Sequence, residues 1–313
     1  MKNVKEKIAI LVPCYNEELT IKKVVCDFKK VLPGADIYVY DNNSKDKTAD
    51  IAKRAGAIVI KEPNQGKGNV VRSMFRDIDA DIYVMVDGDD TYPANEVNKL
   101  IKSIIEGNDM CIGDRLSSTY YAENKRPFHN FGNDLVRWLI NKIFKSRIKD
   151  VMTGYRSFSK KIVKTIPIMS PGFQIETELT ISALEYRYNI DSVEIQYKDR
   201  PKGSNSKLNT FKDGFKVLVT LFDMAKDYKP LLFFSILSLV IFIIGLIVGI
   251  PVIYEYIAYK YVYKIPSAIL ASVLMMISLL LVSLGLILDH QTNIDKKNHE
   301  LVVNYWCANE KNK

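Results

Sequence analysis

Residues 81–91 read DIYVMVDGDDT, an apolar run that ends in a cluster of acids. The apolar part predicts a short strand buried on both faces, which is typical of a sheet covered by helices. In such sheets ligands bind beyond the carboxyl ends of the strands. Asp87 and Asp89 follow the strand directly, so this stretch predicts an α/β fold and also the location of its functional site.

The chain on either side of this stretch alternates short apolar runs with helical patterns. Further strands are predicted at 8–12, 37–40, 57–60 and 110–113. Helical spacing of apolar residues predicts helices at 17–31, 46–55, 67–78 and 94–105. This alternation indicates a mostly parallel sheet with helices on both faces.

Two segments near the C-terminus, 231–254 and 265–288, contain no charged side chain. About 20 apolar residues in a helix cross the hydrocarbon core of a bilayer. A helical hairpin buried in a soluble protein is the alternative. The division that we predict is a catalytic domain, an amphipathic juxtamembrane helix, two transmembrane helices and a cytoplasmic tail, at 1–209, 210–229, 230–254, 265–288 and 289–313.

The formal net charge of +8, from 44 basic and 36 acidic residues, is concentrated near these segments. Six lysines flank the pair of spans and only two lie in the loop between them, which favours a cytoplasmic location for both termini. The first residues lack the apolar region of a signal peptide, which agrees with a cytoplasmic catalytic domain. Nucleic acid is the general alternative partner for a basic chain, but phosphates and a membrane explain the charge more economically.

The four cysteines and three histidines are scattered along the chain without a CxxC spacing. Zinc sites need converging pairs of such ligands, so a structural zinc site is not expected. Reduced thiols are the simpler interpretation of the cysteines in a chain of this length.

The acidic cluster itself has the features of a divalent-metal site. Residues two apart on an extended segment point the same way, so Asp87 and Asp89 can face one point, and Gly88 would let a ligand approach the backbone. Paired carboxylates suit Mg²⁺ or Mn²⁺, which takes its remaining ligands from water and a diphosphate. A solvated turn is the alternative, whereas an EF-hand loop is excluded because Tyr92 stands where glycine is needed.

Three more polar clusters follow the first three predicted strands: PCYNEE at 13–18, DNNSKDKT at 41–48 and NQGKG at 64–68. Individually they are compatible with a helix start, an Asx turn and a glycine-rich loop. A dinucleotide fingerprint is excluded, because Val71 replaces its third glycine. Together the clusters would surround a crevice with acids, amides and a lysine, as a metal-bound nucleotide diphosphate requires.

The order of these motifs resembles that of family 2 glycosyltransferases, which have the GT-A, Rossmann-like fold. More specific matches are DVMTGYRSF at 150–158, GFQIETE at 172–178 and RPKGSNSKL at 200–208. They are similar to the polyprenyl-phosphate branch, which includes dolichol-phosphate mannose synthase and bactoprenol glucosyltransferase. The resemblance covers about residues 7 to 290. Polysaccharide synthases carry a QxxRW motif, which residues 134–138 (DLVRW) match only in part. Two membrane spans also argue against a polysaccharide synthase, which forms a channel from many helices.

The resemblance implies roles for the residues that match its motifs. The nucleotide would be held by Pro13, Tyr15, Glu17, Asp41, Lys67 and Asp87. The metal ion, Mg²⁺ or Mn²⁺, would be bound by Asp87 and Asp89. The acceptor phosphate would be bound by Arg200, Ser206 and Lys207. Asn42 departs from the pattern, since many relatives have a second aspartate there, and its contact with the nucleotide is therefore open.

The reaction implied is the inverting transfer of one sugar from a nucleotide-diphosphate sugar, UDP-glucose or similar, to undecaprenyl phosphate, for glycosylation of the cell envelope. A phosphate monoester with a second pKa of about 6 is largely a dianion at neutral pH, so a strong general base is less necessary. Catalytic roles are expected for Asp89, Asp150, Glu176, Glu178, Arg200 and Lys207. Asp150 and the two glutamates would orient the acceptor or act as weak bases; a turn cap and a helix flank are their structural alternatives.

Two helical stripes suggest how the domain could meet lipid. One comprises Phe211, Phe215, Leu218 and Phe222, and the other Val136, Ile140, Ile143 and Phe144. Basic amphipathic helices of this kind can lie in a membrane interface, and packing on the sheet is the alternative. Tyrosines at 254–263 suit an aromatic belt. Whether the chain forms a homo-oligomer is left open.

Two other functions compete with sugar transfer. Asp87-x-Asp89-x-Thr91 also resembles the nucleophile motif of haloacid-dehalogenase-like phosphatases, in which the first aspartate is phosphorylated. That family has the motif on its first strand, whereas several strands precede it here. A membrane-tethered nucleotide-sugar sensor without catalysis is the third interpretation.

Overall fold

The computed structural model describes residues 6–117, 127–172, 174–201, 219, 222–223 and 226–311, with side chains for all of these except 127–133 and 311. The chain divides into two compact units, Met1–Leu218 with Val302–Lys313, and Val219–Leu301. The strands are β1 (Ile8–Cys14), β2 (Asp36–Asp41), β3 (Ile58–Lys61), β4 (Ile82–Met85), β5 (Met110–Asp114), β6 (Arg156–Ser159) and β7 (Ile190–Glu194). The helices are α1 (Ile21–Val31), α2 (Thr48–Arg54), α3 (Lys67–Asp77), α4 (Val97–Ile105), α5 (Pro127–Phe144), α6 (Lys160–Thr165), α7 (Ile175–Glu185), α8 (Pro230–Tyr259) and α9 (Ile265–Lys311).

The seven strands form one sheet in the order β3-β2-β1-β4-β6-β5-β7. All neighbouring strands are parallel except β6, which is antiparallel to both β4 and β5. The predicted mostly parallel α/β sheet is therefore confirmed. Strand order reverses direction beside β1 and β4, so the ends of these two strands and of β2 border one crevice.

The core lies around β1 and β4, whose side chains are buried on both faces of the sheet. Residues 9–12 of β1 are fully buried, as are residues 82–85 of β4. Helices α1 and α4 bury apolar stripes against one side of this centre, including Val25, Phe28 and Leu100. The continuous apolar runs that predicted these strands thus reflect their burial beneath helices.

Two helices begin later than predicted, because polar side chains hold the preceding residues in turns. The first helix starts at Ile21, since the Glu17 carbonyl accepts hydrogen bonds from the amides of Thr20 and Ile21. The second starts at Thr48, whose amide and hydroxyl both donate to the Asp46 carboxylate. The residues between strand and helix are consequently available to form the site.

Helices α8 and α9 are both long and apolar enough to cross a membrane. They pack together in the second unit, where the Ser238 hydroxyl donates to the carbonyl of Ser278 at 2.8 Å. Gly245 approaches Leu274 and Met275, in agreement with the small residues that membrane helix pairs use at contacts. Helix α9 continues to Lys311, so the described part of the segment predicted as a tail, 289–313, is helical.

The two amphipathic stripes have different outcomes. Val136 and Ile140 of α5 are buried, and Ile143 and Phe144 are half-buried. The second stripe therefore packs on the catalytic domain, as its alternative interpretation predicted, because α5 lies against α7. In the first stripe only Phe222 is described, and it is 57% exposed; Phe211, Phe215 and Leu218 lie outside the described residues.

Candidate active site

The predicted clusters at 13–18 and 41–48 lie side by side at the carboxyl ends of β1 and β2. The amide of Asn16 donates to the Ser44 hydroxyl at 2.9 Å, and the Asn16 side chain accepts from the Lys45 amide at 2.7 Å. The amide of Glu17 donates to the Thr48 hydroxyl at 2.7 Å. These reciprocal bonds fix the two loops against each other. Pro13, Tyr15 and Glu17 are half-buried beside them.

Asp41 ends β2 with its carboxylate inside the crevice and only partly satisfied. One oxygen accepts from the Ser44 amide at 3.3 Å, while the other is buried without a partner. A buried acceptor without a donor costs free energy, so such atoms usually meet a ligand or an ordered water. Asp41 is thus suited to receive an N–H or O–H group from a bound molecule.

The hydrogen bonds of the Asn42 side chain explain why this residue is not an aspartate. Its side-chain amide donates to the carbonyls of Glu62 and Asn64, at 3.0 and 2.8 Å. Its side-chain oxygen accepts from the Gly66 amide at 2.7 Å. An aspartate has no N–H groups to donate, so asparagine is the residue that can hold the loop between β3 and α3.

The glycines of that loop allow a close contact within the protein. An added Cβ at Gly66 would overlap the Pro171 carbonyl, and one at Gly68 would overlap the Ser170 carbonyl. Gly66 also has a φ of 131°, which favours glycine. Gly88 is similar, because a Cβ there would lie 2.7 Å from the Cys14 sulfur. The contact with Cys14 is therefore a sufficient reason for glycine at position 88, without the ligand approach that the sequence suggested.

The acidic pair after β4 is neutralised by two cations from distant parts of the chain. Lys67 Nζ lies 2.5 Å from carboxylate oxygens of both Asp87 and Glu176. An Arg200 guanidinium nitrogen lies 2.5 Å from Asp89, which also accepts from the Thr91 hydroxyl at 2.6 Å. The structure thus brings the predicted residues Lys67, Asp87, Asp89, Glu176 and Arg200 together.

The pKa values of this cluster reflect burial opposed by charge. Burial alone would lower the Lys67 pKa, but the charges of Asp87 and Glu176 raise it above the ordinary value. Burial and then the charge of Asp87 raise the pKa of Asp89, while Arg200 and Thr91 act in the opposite direction. Lys67 is therefore a permanent cation, and the two aspartates repel each other at close range.

The donor set fits a hard divalent cation that shares its ligands with a bound anion. Within the described part of the chain, no group of three or more histidine, cysteine, aspartate or glutamate residues could hold a metal alone. Two carboxylates therefore need further oxygens from a diphosphate and water, which is the usual arrangement for Mg²⁺. Gly154 supports the fit, since a Cβ there would overlap the Asp87 carboxylate.

Asp150 and Glu178 bind the protein itself, in the manner of their structural alternatives. Asp150 is buried and its carboxylate lies 2.7 Å from Arg115 Nε. Glu178 accepts from the amides of Met169 and Ser170, at 2.8 and 2.9 Å. Asp150 holds the loop that borders Asp87 through Gly154, and Glu178 holds residues 169–170, of which Ser170 lies against Gly68. Ser206 and Lys207 lie outside the described residues.

Sequence reasoning gave no role to Arg156, which supports the loop beside Asp87. Arg156 is fully buried and donates to the carbonyls of Val151 and Thr153 and to the Thr180 hydroxyl, at 2.5, 3.0 and 2.8 Å. Burial lowers its pKa to about 10. Arg156 lies within the DVMTGYRSF match at 150–158, but nothing in the sequence pattern indicates that its side chain is buried.

Tyr92 completes the support of this loop and was also missed. Its hydroxyl accepts from the Gly154 amide at 3.1 Å and lies 3.4 Å from the Thr153 hydroxyl. Its ring is buried against Tyr155 and Tyr197. Arg156 and Tyr92 thus place Gly154, which in turn borders Asp87.

Comparison with known proteins gives a family match that includes the strands β1 to β6. Residues 9–166 match the family described as Glycosyl transferase family 2. Glycosyltransferase AglJ of Haloferax volcanii is 30% identical over 278 residues, which are 88% of this chain and 91% of the relative. A dolichyl-phosphate hexose transferase of the same organism is 30% identical over 209 residues, which are 67% of this chain and 90% of the relative.

Solved structures share the fold of the first unit. Glucosyl-3-phosphoglycerate synthase from Mycobacterium tuberculosis, in complex with Mn²⁺, UDP and glucosyl-3-phosphoglycerate, superposes with a TM-score of 0.59 at 21% identity. The alignment covers 70% of this chain and 80% of that structure. The predicted GT-A fold is confirmed by this likeness. The family match also spans the DxDxT stretch that suggested a phosphatase.

Proposed function

The chain belongs to glycosyl transferase family 2, and we propose that it moves one sugar from a nucleoside-diphosphate sugar to a polyprenyl phosphate. The observation that carries the proposal is the acidic pair at the end of β4, the half-buried Asp87 and the buried Asp89, balanced by Lys67 and Arg200. Such a cluster of alternating charge suits a metal-bound diphosphate, whose oxygens would take the place of the carboxylates beside the two cations.

The donor side of the site is formed by the clusters after β1 and β2. The unpartnered oxygen of Asp41 would accept an N–H from the nucleoside base, with Pro13, Tyr15 and Glu17 around the base and ribose. We prefer UDP to GDP as the nucleotide, with UDP-glucose or a similar sugar. The solved relative whose name includes UDP supports this preference at the level of the fold.

A divalent cation, Mg²⁺ or Mn²⁺, would be held by Asp87 and Asp89 together with the diphosphate. When bound, it would stabilise the negative charge that develops on the leaving diphosphate. Lys67 and Arg200 supply fixed positive charge at the same point and need no reorganisation during the reaction. Burial and then the charge of Asp87 raise the Asp89 pKa, and metal binding would relieve the repulsion between the two carboxylates.

The acceptor is proposed to be a lipid-linked phosphate such as undecaprenyl phosphate. A relative named dolichyl-phosphate hexose transferase and two helices able to cross a membrane support this choice. An oxygen of the acceptor phosphate would attack the anomeric carbon as the bond from that carbon to the diphosphate breaks, which inverts the configuration. No strong base is required, because the phosphate is already largely a dianion.

The remaining predicted residues take supporting roles in this scheme. Arg200 would bind phosphate once a metal occupies Asp89, with Ser206 and Lys207 as further acceptor ligands. Glu176 shares Lys67 with Asp87 and so sets the position of that cation. Asp150 and Glu178 would orient the surrounding loops through Arg115 and the residues at 169–170. The catalytic domain would face the cytoplasm, at the inner surface of the cell membrane.

The proposal is tested by incubating detergent-purified chain with undecaprenyl phosphate, Mg²⁺ or Mn²⁺ and a panel of nucleotide sugars. Mass spectrometry of the lipid phase should detect one new lipid-linked hexose, and chelation of the metal should abolish it. Asp89→Asn should lower turnover by about 10²-fold or more, as the loss of a main electrostatic contact does. Asp90→Asn, next to it in sequence, is the matched control.

Three results would count against the proposal. Undiminished transfer by the Asp89→Asn variant would remove the role of the acidic pair. Phosphate trapped on Asp87, with release of phosphate but no sugar transfer, would favour the phosphatase. Tight binding of a nucleotide sugar without turnover on any acceptor would favour a sensor.

A further inference from the structure

We propose that the outer face of α5 and the loop after it dock on an anionic lipid surface. This surface, called the basic patch below, consists of Trp138, Lys142, Lys145, Arg147 and Lys149. The inference concerns how the catalytic domain meets a membrane rather than the reaction. It rests on the proposed membrane hairpin only because the hairpin keeps the domain tethered to a bilayer.

The two faces of α5 differ in a way that core packing alone does not explain. Val136 and Ile140 are buried, whereas Trp138 is 54% exposed. Lys142 follows Trp138 by one helical turn, and its ammonium lies 4.7 Å from the centre of the indole ring. Tryptophan flanked by lysine is the pairing that membrane–water interfaces favour, because the ring is apolar and its N–H is polar.

The loop after α5 is held rigidly against the helix by Asn141. The side-chain oxygen of Asn141 accepts from the Ser146 hydroxyl and from the Ile148 amide, at 2.8 and 2.9 Å. Its side-chain amide donates to the Ile148 carbonyl at 2.9 Å. The exposed side chains of Lys145, Arg147 and Lys149 therefore project from an ordered segment rather than from a loose one.

The loop also returns to the helix beside Trp138. The Arg137 guanidinium donates to the Lys149 carbonyl at 3.5 Å, which brings the end of the loop next to the middle of α5. Lys149 lies 3.8 Å from the buried Asp114 but keeps 61% of its side chain exposed. The basic patch is thus one continuous surface.

The charge of this segment is complementary to phospholipid headgroups of one sign. Residues 135–149 contain five basic side chains and no acidic one. Arg137 pairs with Asp134 at 2.8 Å, and the side chains of the four cations of the basic patch are exposed, including that of Lys149 near Asp114. Basic clusters of this size next to membrane segments bind anionic lipids, and the exposed tryptophan favours lipid over an acidic protein or a nucleic acid.

The fluorescence of Trp138 can be measured separately once Trp306 is replaced, since Trp306 is the only other tryptophan in the chain. The full chain with Trp306→Phe would be placed in nanodiscs of phosphatidylcholine, with or without phosphatidylglycerol, whose acyl chains carry bromine near the headgroup. We expect blue-shifted, bromine-quenched Trp138 emission in the anionic discs. Replacing Lys145, Arg147 and Lys149 by alanine should reduce the quenching to its level in neutral discs.

A matched control removes three exposed lysines elsewhere on the domain, Lys22, Lys30 and Lys53, and should leave the quenching unchanged. Trp138 emission typical of water in both kinds of disc would overturn the inference. Quenching that changes neither with phosphatidylglycerol nor with the triple substitution would also overturn it. A chain that does not enter discs would overturn both the hairpin and the docking. Sugar transfer is not measured, so failure of the proposed reaction would not affect the result.

Discussion

At the scale of single residues, the site is organised by opposing charges rather than by one dominant group. Asp87 and Asp89 are two residues apart, yet each has its own cation, Lys67 for the first and Arg200 for the second. Lys67 and Asp89 are the more buried members of the two pairs, whereas Asp87 and Arg200 are partly exposed. The consequences for stability and for metal binding can therefore be separated by substitution.

Asp89→Asn should make the metal-free protein more stable at neutral pH. Burial and the charge of Asp87 raise the Asp89 pKa above its ordinary value of 3.8. A carboxyl group whose pKa is raised by folding contributes to stability when the pH is below its ordinary, unfolded-state pKa. The contribution is lost as the pH rises through the pKa that the group has in the folded protein. The variant should therefore melt a few degrees above the wild type near neutral pH, with a difference that shrinks as pH falls.

The measurement is thermal unfolding in detergent with a chelator, across a pH series, and Asp90→Asn serves as control. When Mn²⁺ and UDP replace the chelator, the melting temperature of the wild type and of Asp90→Asn should rise, but that of Asp89→Asn should not. An Asp89→Asn protein that melts at or below the wild-type temperature near neutral pH would mean that Arg200 fully compensates the charge of Asp89.

Lys67→Met should have the opposite effect on the metal-free protein. The substitution leaves Asp87 and Glu176 without their shared cation, and Glu176 is almost fully buried. Breaking a buried ion pair from one side costs about 3 kcal/mol. The melting temperature should fall accordingly, and adding Glu176→Gln should recover much of the loss. If the double variant is no more stable than Lys67→Met, the lysine stabilises the fold by packing rather than by charge.

At the scale of elements, the sequence predicted the parallel half of the sheet and missed the antiparallel insertion. Apolar runs and helical spacing located β1 to β5 and α1 to α4 within a few residues. Burial on both faces produces such runs in β1, β4 and β5, whereas β3 is only partly buried. Strands β6 and β7 lack that signal, because β6 begins with the buried Arg156 and β7 is half-buried and polar. Their pairing depends on long-range contacts that a local pattern does not contain.

The acidic pair and the crevice around it were predictable for the same topological reason. Polar clusters directly after parallel strands must meet at one edge of the sheet. The partners were not predictable from spacing, since the contact between Lys67 and Glu176 joins residues 109 positions apart. The second predicted span ended at 288, where charged residues begin, but charge alone does not end a helix and α9 continues to Lys311.

Arg156→Met should weaken the loop at 151–154 and, through it, the position of Asp87. The substitution removes the donors to two buried carbonyls, each of which costs about 1–3 kcal/mol when unsatisfied. The Thr180 hydroxyl also loses a donor but still donates to the Glu176 carbonyl. We expect a loss of at least about 2 kcal/mol and reduced sugar transfer. Arg156→Lys should recover part of both, because one ammonium can reach some of the acceptors.

The matched control is Arg72→Met, since the more exposed Arg72 also donates to a backbone carbonyl, that of Met169. Its cost should stay within about 0.5 kcal/mol, as for most surface substitutions. Melting temperatures and transfer rates of the three variants provide the comparison. Equal effects of Arg156→Met and Arg72→Met would show that the buried network does not support the loop.

At the scale of the whole molecule, two chemically different units share one chain. The first unit buries a charged site in an α/β sheet, and the second exposes apolar side chains along α8 and along the uncharged part of α9, residues 265–288. Apolar surface of that extent is stable in lipid but not in water. The charge of +8 has a corresponding distribution, with basic residues in the loops proposed to bind phosphate and beside the helices.

The lysine distribution predicts the orientation of the hairpin, with both of its ends on the cytoplasmic side. In intact cells that express the chain, Tyr261→Cys in a background free of other cysteines should react with a membrane-impermeant maleimide from outside. Tyr261 suits this use because it is exposed in the loop between α8 and α9. Cys307, kept as the only cysteine, should react only after permeabilisation. The reverse labelling pattern would place the catalytic domain outside the cell, away from the cytoplasmic nucleotide sugars that the proposed reaction requires.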